Sequence, residues 1–110
     1  MCIQGANTLG FGFLETVYQN SLLTELAKSA LKAEKEKPIK VRYENQIVGD
    51  YIADIIVEEK IILELKAVKE LHAAHEVQLV NYLKATGIEV GLLINFGESV
   101  EIKRKILDKQ

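Results

Sequence analysis

The sequence is poor in the residues that mark several classes of protein. Its 110 residues include one cysteine, Cys2, and one proline, Pro38, which excludes an internal disulfide and a cysteine metal cage. One proline and seven glycines argue against a disordered chain. No apolar run approaches the ~20 residues of a membrane span, and Met1–Gln4 lacks the charge of a secretory signal peptide. We therefore expect a single domain over residues 1–110, located in the cytoplasm and without membrane attachment.

Charge of neither sign dominates the chain. Its 14 lysines and arginines face 16 acidic residues, which gives a formal net charge of -2. This balance excludes the strongly basic composition of proteins that coat nucleic acid through phosphate contacts alone. If the protein handles nucleic acid, it must do so through a compact site rather than a broad charged face.

The hydrophobic pattern predicts an α/β fold. Apolar residues at steps of three and four predict a helix from Phe13 to about Lys35, closed by Pro38 and preceded by a short helical turn over Ile3–Leu9 that Gly10–Gly12 interrupts. The further predicted elements are strands over Ile39–Tyr43, Ile47–Val57 and Ile61–Lys66 with turns at Glu44–Gln46 and Glu58–Lys60, a helix over Ala73–Thr86 stopped by Gly87, a strand over Glu89–Asn95 and a candidate edge strand over Val100–Lys103. This order, αβββαβ with a candidate extra strand, predicts a mixed sheet flanked by helices.

Two carboxylates interrupt strands that are apolar on both faces, a pattern typical of strands covered on both sides. Asp54 and Glu64 each cost several kcal/mol in such a strand unless something offsets the charge. A three-residue loop at 58–60 places Asp54 directly opposite Glu64, with Cβ atoms about 4.5–5.5 Å apart. A two-residue loop would instead oppose Asp54 to Leu63 and put the two acids on different faces. Lys66 lies on the same face as Glu64 in either case.

In the first register, two carboxylates and an ammonium group converge on one face of the sheet. A hard divalent cation such as Mg²⁺ would relieve the repulsion between the carboxylates. Lys66 would then orient or activate a water, or stabilise a negatively charged transition state, as phosphodiester hydrolysis requires. The alternative is a structural ion pair near a strand end. Glu-x-Lys also occurs at Glu58–Lys60 and Glu101–Lys103, but neither copy combines an apolar strand with an acidic partner.

These residues resemble the signature of a nuclease superfamily. Asp54, nine further residues and Glu64-Leu65-Lys66 resemble the catalytic motif of the PD-(D/E)XK nuclease superfamily, with Ala53 in place of the proline. The stretch Gly12–Tyr18 resembles the defining motif of the GxxExxY proteins. Gln78–Tyr82 resembles the QxxxY helix motif of exonuclease-like branches. Together these motifs extend over residues 10–97.

The resemblance implies a restriction-endonuclease-like α/β core and a nuclease that uses Mg²⁺ or Mn²⁺. It implies that Asp54 and Glu64 are metal ligands, that Lys66 is the catalytic lysine, and that Glu15 is a further acidic ligand. The residues expected to position the substrate or the ligands are Tyr18, His75, Gln78 and Tyr82. Nucleic acid would be the partner, with DNA favoured over RNA, and a homodimer would add surface for gripping it.

Each of these residues also has an ordinary structural explanation. Glu15 would complement the helix dipole, Tyr82 would be a core aromatic with its hydroxyl at the rim, and His75 would be a solvated helix residue. The basic run Lys103–Lys105 would contact a phosphate backbone or be only a solvated tail. For the whole protein, the alternative is a catalytically inactive nuclease-fold module that binds nucleic acid or a protein partner. An enzyme acting on free nucleotides lacks support, since the sequence has neither a P-loop nor a dinucleotide fingerprint.

Overall fold

The computed structural model describes residues 11–97 and 100–107, so the helical turn predicted over Ile3–Leu9 lies outside the described residues. Two helices and five strands make up the described part. In chain order they are α1 (Phe11–Lys28), β1 (Ala33–Tyr43), β2 (Gln46–Val57), β3 (Ile61–Lys66), α2 (Ala73–Thr86), β4 (Val90–Phe96) and β5 (Val100–Ile106). Neither helix has the length and apolar character needed to cross a bilayer.

The strands form one mixed sheet in the order β1-β2-β3-β4-β5. Antiparallel pairing joins β1 to β2, β2 to β3 and β4 to β5, whereas β3 and β4 run parallel on either side of the α2 crossover. One face packs against α1 through Leu22, Leu23 and Leu26. The other face packs against α2 through its buried residues Leu79, Tyr82 and Leu83. The predicted order of elements is confirmed. The candidate edge strand is present as β5 and extends to Ile106.

The end of the first helix was predicted wrongly. α1 starts at Phe11 and ends at Lys28, and the chain turns through Ala30 in the left-handed conformation (φ 59°). The Leu31 N–H donates to the Leu26 carbonyl at 3.0 Å, a Schellman-type closure that glycine usually provides. Because alanine replaces the expected glycine, the local sequence carries no stop signal at this point.

The segment predicted as the end of that helix forms the first half of β1. Ala33 pairs with Val57, and Pro38 pairs with Ile52 inside the strand instead of closing a helix. The Glu58 N–H donates to the Lys32 carbonyl at 2.8 Å and fastens the start of the strand. Proline is tolerated here because β1 is an edge strand, with one side of its backbone outside the ladder.

The hairpin between β2 and β3 has the predicted three-residue loop. Ile55 pairs with Leu63 and Val57 with Ile61. One further step of the same register puts Asp54 opposite Glu64. The predicted three-residue loop is therefore confirmed, and the two-residue alternative is excluded.

The half of β2 before Ala53 is more open than predicted. Tyr51 and Ile52 are exposed, while Ala53 is fully buried. Within β2, only the part from Ala53 onwards is covered on both faces. On α2, Val77 is exposed, so it does not belong to the buried face formed by Leu79, Tyr82 and Leu83. Gly87 ends α2 as predicted, in the left-handed conformation (φ 76°), and its N–H donates to Leu83.

Candidate active site

The site is a fork at which β2 and β3 stop pairing through their backbones. The described ladder ends at Ile55 and Leu63. Beyond it, the Leu65 N–H donates to Asp54 Oδ2 at 2.7 Å, and the Asp54 N–H donates to Glu64 Oε1 at 3.3 Å. The two carboxyl groups thus replace ladder bonds and are held between the strands by the backbone itself.

Burial disfavours the ionised form of both carboxyl groups. Glu64 is only 5% exposed, and loss of hydration, followed by the negative charge of Asp54, raises its pKa to about 8. Burial also raises the pKa of Asp54, against the stabilising hydrogen bond from the Leu65 N–H. A hydrogen bond between the two carboxyl groups lowers the pKa of Asp54 and raises that of Glu64. Without a cation, Glu64 therefore keeps its proton near neutral pH.

Lys66 supplies the positive charge of the site. It ends β3, two residues after Glu64 and half-buried. Burial is the largest influence on the pKa of Asp54 and of Glu64, and it raises both values. The charge of Lys66 is a smaller influence that lowers both. Within the described residues, no ion pair joins Lys66 to a carboxylate. Its ammonium group therefore lies near the two acids without pairing with either.

Helix α1 supports the fork from one side. The Ala67 N–H, one residue after Lys66, donates to Glu15 Oε1 at 3.2 Å. Gln19, one turn further along α1, donates from Nε2 to the Asp54 carbonyl at 3.1 Å. The two side chains therefore hold the strand segments that carry Lys66 and Asp54.

A small cavity of about 160 Å³ opens beside Asp54 on this side, and Glu15 and Gln19 line it. A third acid, Glu36, lines it as well. The β1–β2 register places Glu36 across from Asp54, although it is missing from the ladder because its backbone is left-handed (φ 53°). Its charge adds to the effects that raise the pKa of Asp54, after burial, the largest cause.

Helix α2 contributes the opposite wall. Tyr82 is 5% exposed, and burial, followed by the charges of Glu64 and Asp54, raises its pKa to about 12. Its hydroxyl group is therefore a neutral hydrogen-bonding group beside the pair. Gln78 lies half-buried one turn earlier and lines a larger groove together with Tyr82.

His75 also lies near the site, but it has a local role. Its Nδ1 accepts a hydrogen bond from the His72 N–H at 3.1 Å, which caps the start of α2. Burial, followed by the charge of Lys66, lowers the pKa of His75. Burial and the nearby Lys66 therefore both disfavour the protonated imidazole.

Tyr18 is placed differently from the other predicted site residues. Its ring stacks on Phe96 of β4, with centroids 3.9 Å apart and planes at 6°. The aromatic ring thus fastens α1 to the sheet. The structure brings Asp54, Glu64, Lys66, Tyr82 and Glu15 around the fork.

A family model for the PD-(D/E)XK nuclease superfamily matches residues 1–105. The chain belongs to this superfamily. Membership supports a nuclease-type function, and PD-(D/E)XK nucleases generally use divalent metal ions. No curated protein sequence gives a significant match.

Two solved structures are similar to this PD-(D/E)XK chain. The protein SSO0001 has 19% sequence identity and a TM-score of 0.64, over 90% of this chain and 52% of its own. The alkaline exonuclease LHK-Exo from Laribacter hongkongensis has 11% identity and a TM-score of 0.61, over 84% of this chain and 56% of its own. At these identities the likeness establishes the restriction-endonuclease-like fold. The chain spans little more than half the length of either structure.

The acids of this PD-(D/E)XK site fit a divalent cation in chemistry, although they do not form a complete cage. Within residues 11–97 and 100–107, no group of three or more His, Cys, Asp or Glu side chains is arranged to hold a metal ion. Asp54 and Glu64 nevertheless present two paired carboxylates of the type that Mg²⁺ accepts together with waters. A cation binding there would displace the proton that Glu64 holds near neutral pH.

Three supporting residues escaped the sequence analysis. Gln19 is the next residue in the helical row of Glu15, and this spacing of four is a signal that could have identified it. Glu36 directly follows the segment predicted as helix, which ended at about Lys35, and it was not assigned to a strand; its position opposite Asp54 was therefore hidden. Asn95 is fully buried; it accepts from the Val68 N–H through Oδ1 and donates to the Val68 carbonyl through Nδ2, both at 2.9 Å. A polar residue inside the apolar run of β4 was the available signal for Asn95.

Proposed function

We propose that this protein is a metal-dependent nuclease that hydrolyses phosphodiester bonds through Asp54, Glu64 and Lys66. The observation that supports the proposal most strongly is a buried glutamate next to a half-buried aspartate, both hydrogen-bonded to the backbone, with a lysine beside them. A stability role alone does not account for such a pair, since burying two carboxyl groups is costly. Perturbed acids with a specific charged neighbour are typical of catalytic sites.

Asp54 and Glu64 would hold a Mg²⁺ or Mn²⁺ ion, with Glu15 as a further acidic group at the same cavity. The ion would supply charge neutralisation for the scissile phosphate and polarise a water. Lys66 would orient that water or stabilise the negative charge that develops in the transition state. Tyr82 and Gln78 would hold the substrate by hydrogen bonds from the α2 side, while Tyr18 and His75 would keep the two helices in place.

Within the superfamily, we assign the chain to the GxxExxY branch, on the stretch Gly12–Tyr18. Its Glu15 contacts the backbone at the end of β3, and its Tyr18 packs α1 on the sheet. The proposed substrate is nucleic acid, with DNA favoured over RNA, and the proposed location is the cytoplasm. Residues 1–110 would form one nuclease domain, and pairing of two copies would enlarge the surface that holds the substrate.

The test is cleavage of single- and double-stranded DNA and RNA by the purified protein in Mg²⁺ or Mn²⁺, beside Glu64→Ala and Lys66→Ala. We expect cleavage that chelation abolishes and that both substitutions remove. Equal cleavage by the wild type and both variants would mean that a contaminant is responsible and would overturn the proposal. Binding of nucleic acid without cleavage under any condition would favour the inactive nuclease-fold module.

A further inference from the structure

A groove of about 810 Å³ runs between the β1–β2 hairpin and helix α2. Tyr82 and Gln78 line it, and Tyr82 is close enough to Asp54 and Glu64 for their charges to raise its pKa. One wall of the groove is thus shared with the candidate active site. A strand lying in the groove would be led towards the carboxyl pair.

The lining of this groove is basic, in contrast to the whole chain. It contains Lys40, Arg42 and Lys84 and no carboxylate, whereas the protein has a net charge of -2. Lys40 pairs with the exposed Asp50 at 3.5 Å, but Arg42 and Lys84 take part in no described ion pair. A groove of this kind attracts a polyanion at short range without a basic surface elsewhere.

An aromatic ring is held in place at the same groove. Tyr51 is 44% exposed and lines it. The ring lies over Gly49, where an added Cβ would come within 2.6 Å of Tyr51 Cε2. On its other side, the Tyr51 ring meets Tyr82, with centroids 5.7 Å apart at 45°. The exposed tyrosine is therefore preorganised rather than freely rotating.

We propose that this groove binds a single-stranded segment of nucleic acid. Tyr51 stacks on an unpaired base, and Arg42 and Lys84 contact the flanking phosphates. Stacking on an aromatic side chain requires a base that is free of its partner, which favours a single strand over a duplex. The identity of the ligand rests on the proposed nuclease function, while the groove, its charge and its ring come from the geometry.

The second basic surface of the chain provides the contrast. The run Lys103–Lys105 lies on β5, at the edge of the sheet opposite to β1. There Lys105 is paired with Glu76 at 2.6 Å. Two groove residues have a matched control that does not line the groove: Arg104 for Arg42, and Tyr43, which is 66% exposed near the hairpin turn, for Tyr51.

The experiment is fluorescence anisotropy with a labelled oligothymidylate and a labelled duplex of equal length, in EDTA so that nothing is cut. We expect Tyr51→Ala to weaken single-strand binding by about 5- to 100-fold, and Tyr51→Phe to retain it. Arg42→Ala should weaken binding and lower the slope of log K against log salt by about 1. Tyr43→Ala and Arg104→Ala should bind like the wild type. A melting curve verifies each fold, and the exposed Arg42 carries the test if Tyr51→Ala fails to fold.

The inference is overturned if folded Tyr51→Ala and Arg42→Ala bind the single strand like the wild type, if the duplex binds equally well, or if only Arg104→Ala loses affinity. A parallel cleavage assay separates this result from failure of the proposed function. Cleavage that depends on Glu64 but not on Tyr51 or Arg42 refutes the groove and keeps the nuclease. Binding that depends on Tyr51 in a protein that cleaves nothing keeps the groove and refutes the nuclease.

Discussion

The sheet contains the same pattern, Glu-x-Lys, in two strands with opposite surroundings. Glu64-Leu65-Lys66 lies in the central strand β3, and Glu101-Ile102-Lys103 lies in the edge strand β5. In β3 the glutamate is buried and touches a second carboxyl group. In β5 both neighbours of the glutamate, Val100 and Ile102, are exposed. The comparison indicates that burial and an acidic partner, rather than the tripeptide, distinguish the proposed site.

The two copies also differ in support. Side chains from α1 hold the backbone around the central copy through Glu15 and Gln19. Asn95 of β4 clasps Val68, two residues after Lys66. Gly97 leaves room for this contact, since a Cβ there would collide with the Val68 carbonyl. Lys66 thus lies on a segment held by several hydrogen bonds, as its proposed catalytic role would require.

The largest expected difference between the two copies is in catalysis. Glu64→Gln keeps the size of the side chain but removes its charge, so we expect cleavage to fall by about 10²–10⁴-fold, the range for loss of a key catalytic group. Glu101→Gln should cleave within about twofold of the wild type, because the half-buried Glu101 lies on the edge strand β5, outside the fork. Initial rates on one substrate in Mn²⁺ provide the measurement. Equal losses of cleavage activity in both variants would contradict the expected difference between the two copies.

The second expected difference is in how the folding stability of the metal-free protein depends on pH. The folded-state pKa of Glu64 is about 8, against an ordinary value of 4.5, so stability falls as pH rises through this window, because the unfolded chain loses its proton first. Glu64→Gln removes this cost and should be more stable than the wild type at pH 9 by roughly 2–5 kcal/mol. At pH 4, where both states hold the proton, the difference should vanish. Melting curves in EDTA measure it, with Glu101→Gln as the control; a destabilised Glu64→Gln at pH 9 would contradict the account.

The third difference concerns metal binding. A cation that binds only the folded state raises stability by about 2.7 kcal/mol at a hundredfold excess over its dissociation constant. We expect Mn²⁺ to raise the melting temperature of the wild type and of Glu101→Gln, and the increase to be larger at pH 8 than at pH 6, because protons compete for Glu64. Glu64→Gln should show little of this increase. An equal shift in all three proteins would place the ion elsewhere.

The smallest effect tests the support that only the central copy receives. Gln19→Ala removes the hydrogen bond to the Asp54 carbonyl and should lower the free energy of unfolding by about 1 kcal/mol. Asn20→Ala, at an exposed position in the same helix, is the matched control. Urea unfolding of both variants gives the comparison. A Gln19→Ala protein as stable as Asn20→Ala would show that the bond adds nothing.

The sequence was sufficient to predict the features that local patterns decide. Alternating apolar residues defined β2 and β3, and the length of the loop at 58–60 set the register that opposes Asp54 to Glu64. The element order followed from the same patterns, because each strand and the second helix carry clear periodicity.

Features that depend on contacts between distant parts of the chain could not be predicted from local sequence patterns. Ala33–Lys37 consists of residues that favour helices. The pairing of this segment with β2 overrides that local preference. That error also hid Glu36, whose position opposite Asp54 exists only once β1 is a strand. The buried clasp of Asn95 on Val68 depends on the parallel pairing of β3 and β4, which no local pattern specifies.

The most direct test of the account is a crystal structure of the protein soaked with Mn²⁺, with anomalous diffraction used to locate the ion. The account predicts an anomalous peak bound by carboxylate oxygens of both Asp54 and Glu64, with the Lys66 ammonium group nearby. A fully ordered fork without a peak, or a peak bound only by acids elsewhere such as Glu101, would contradict it.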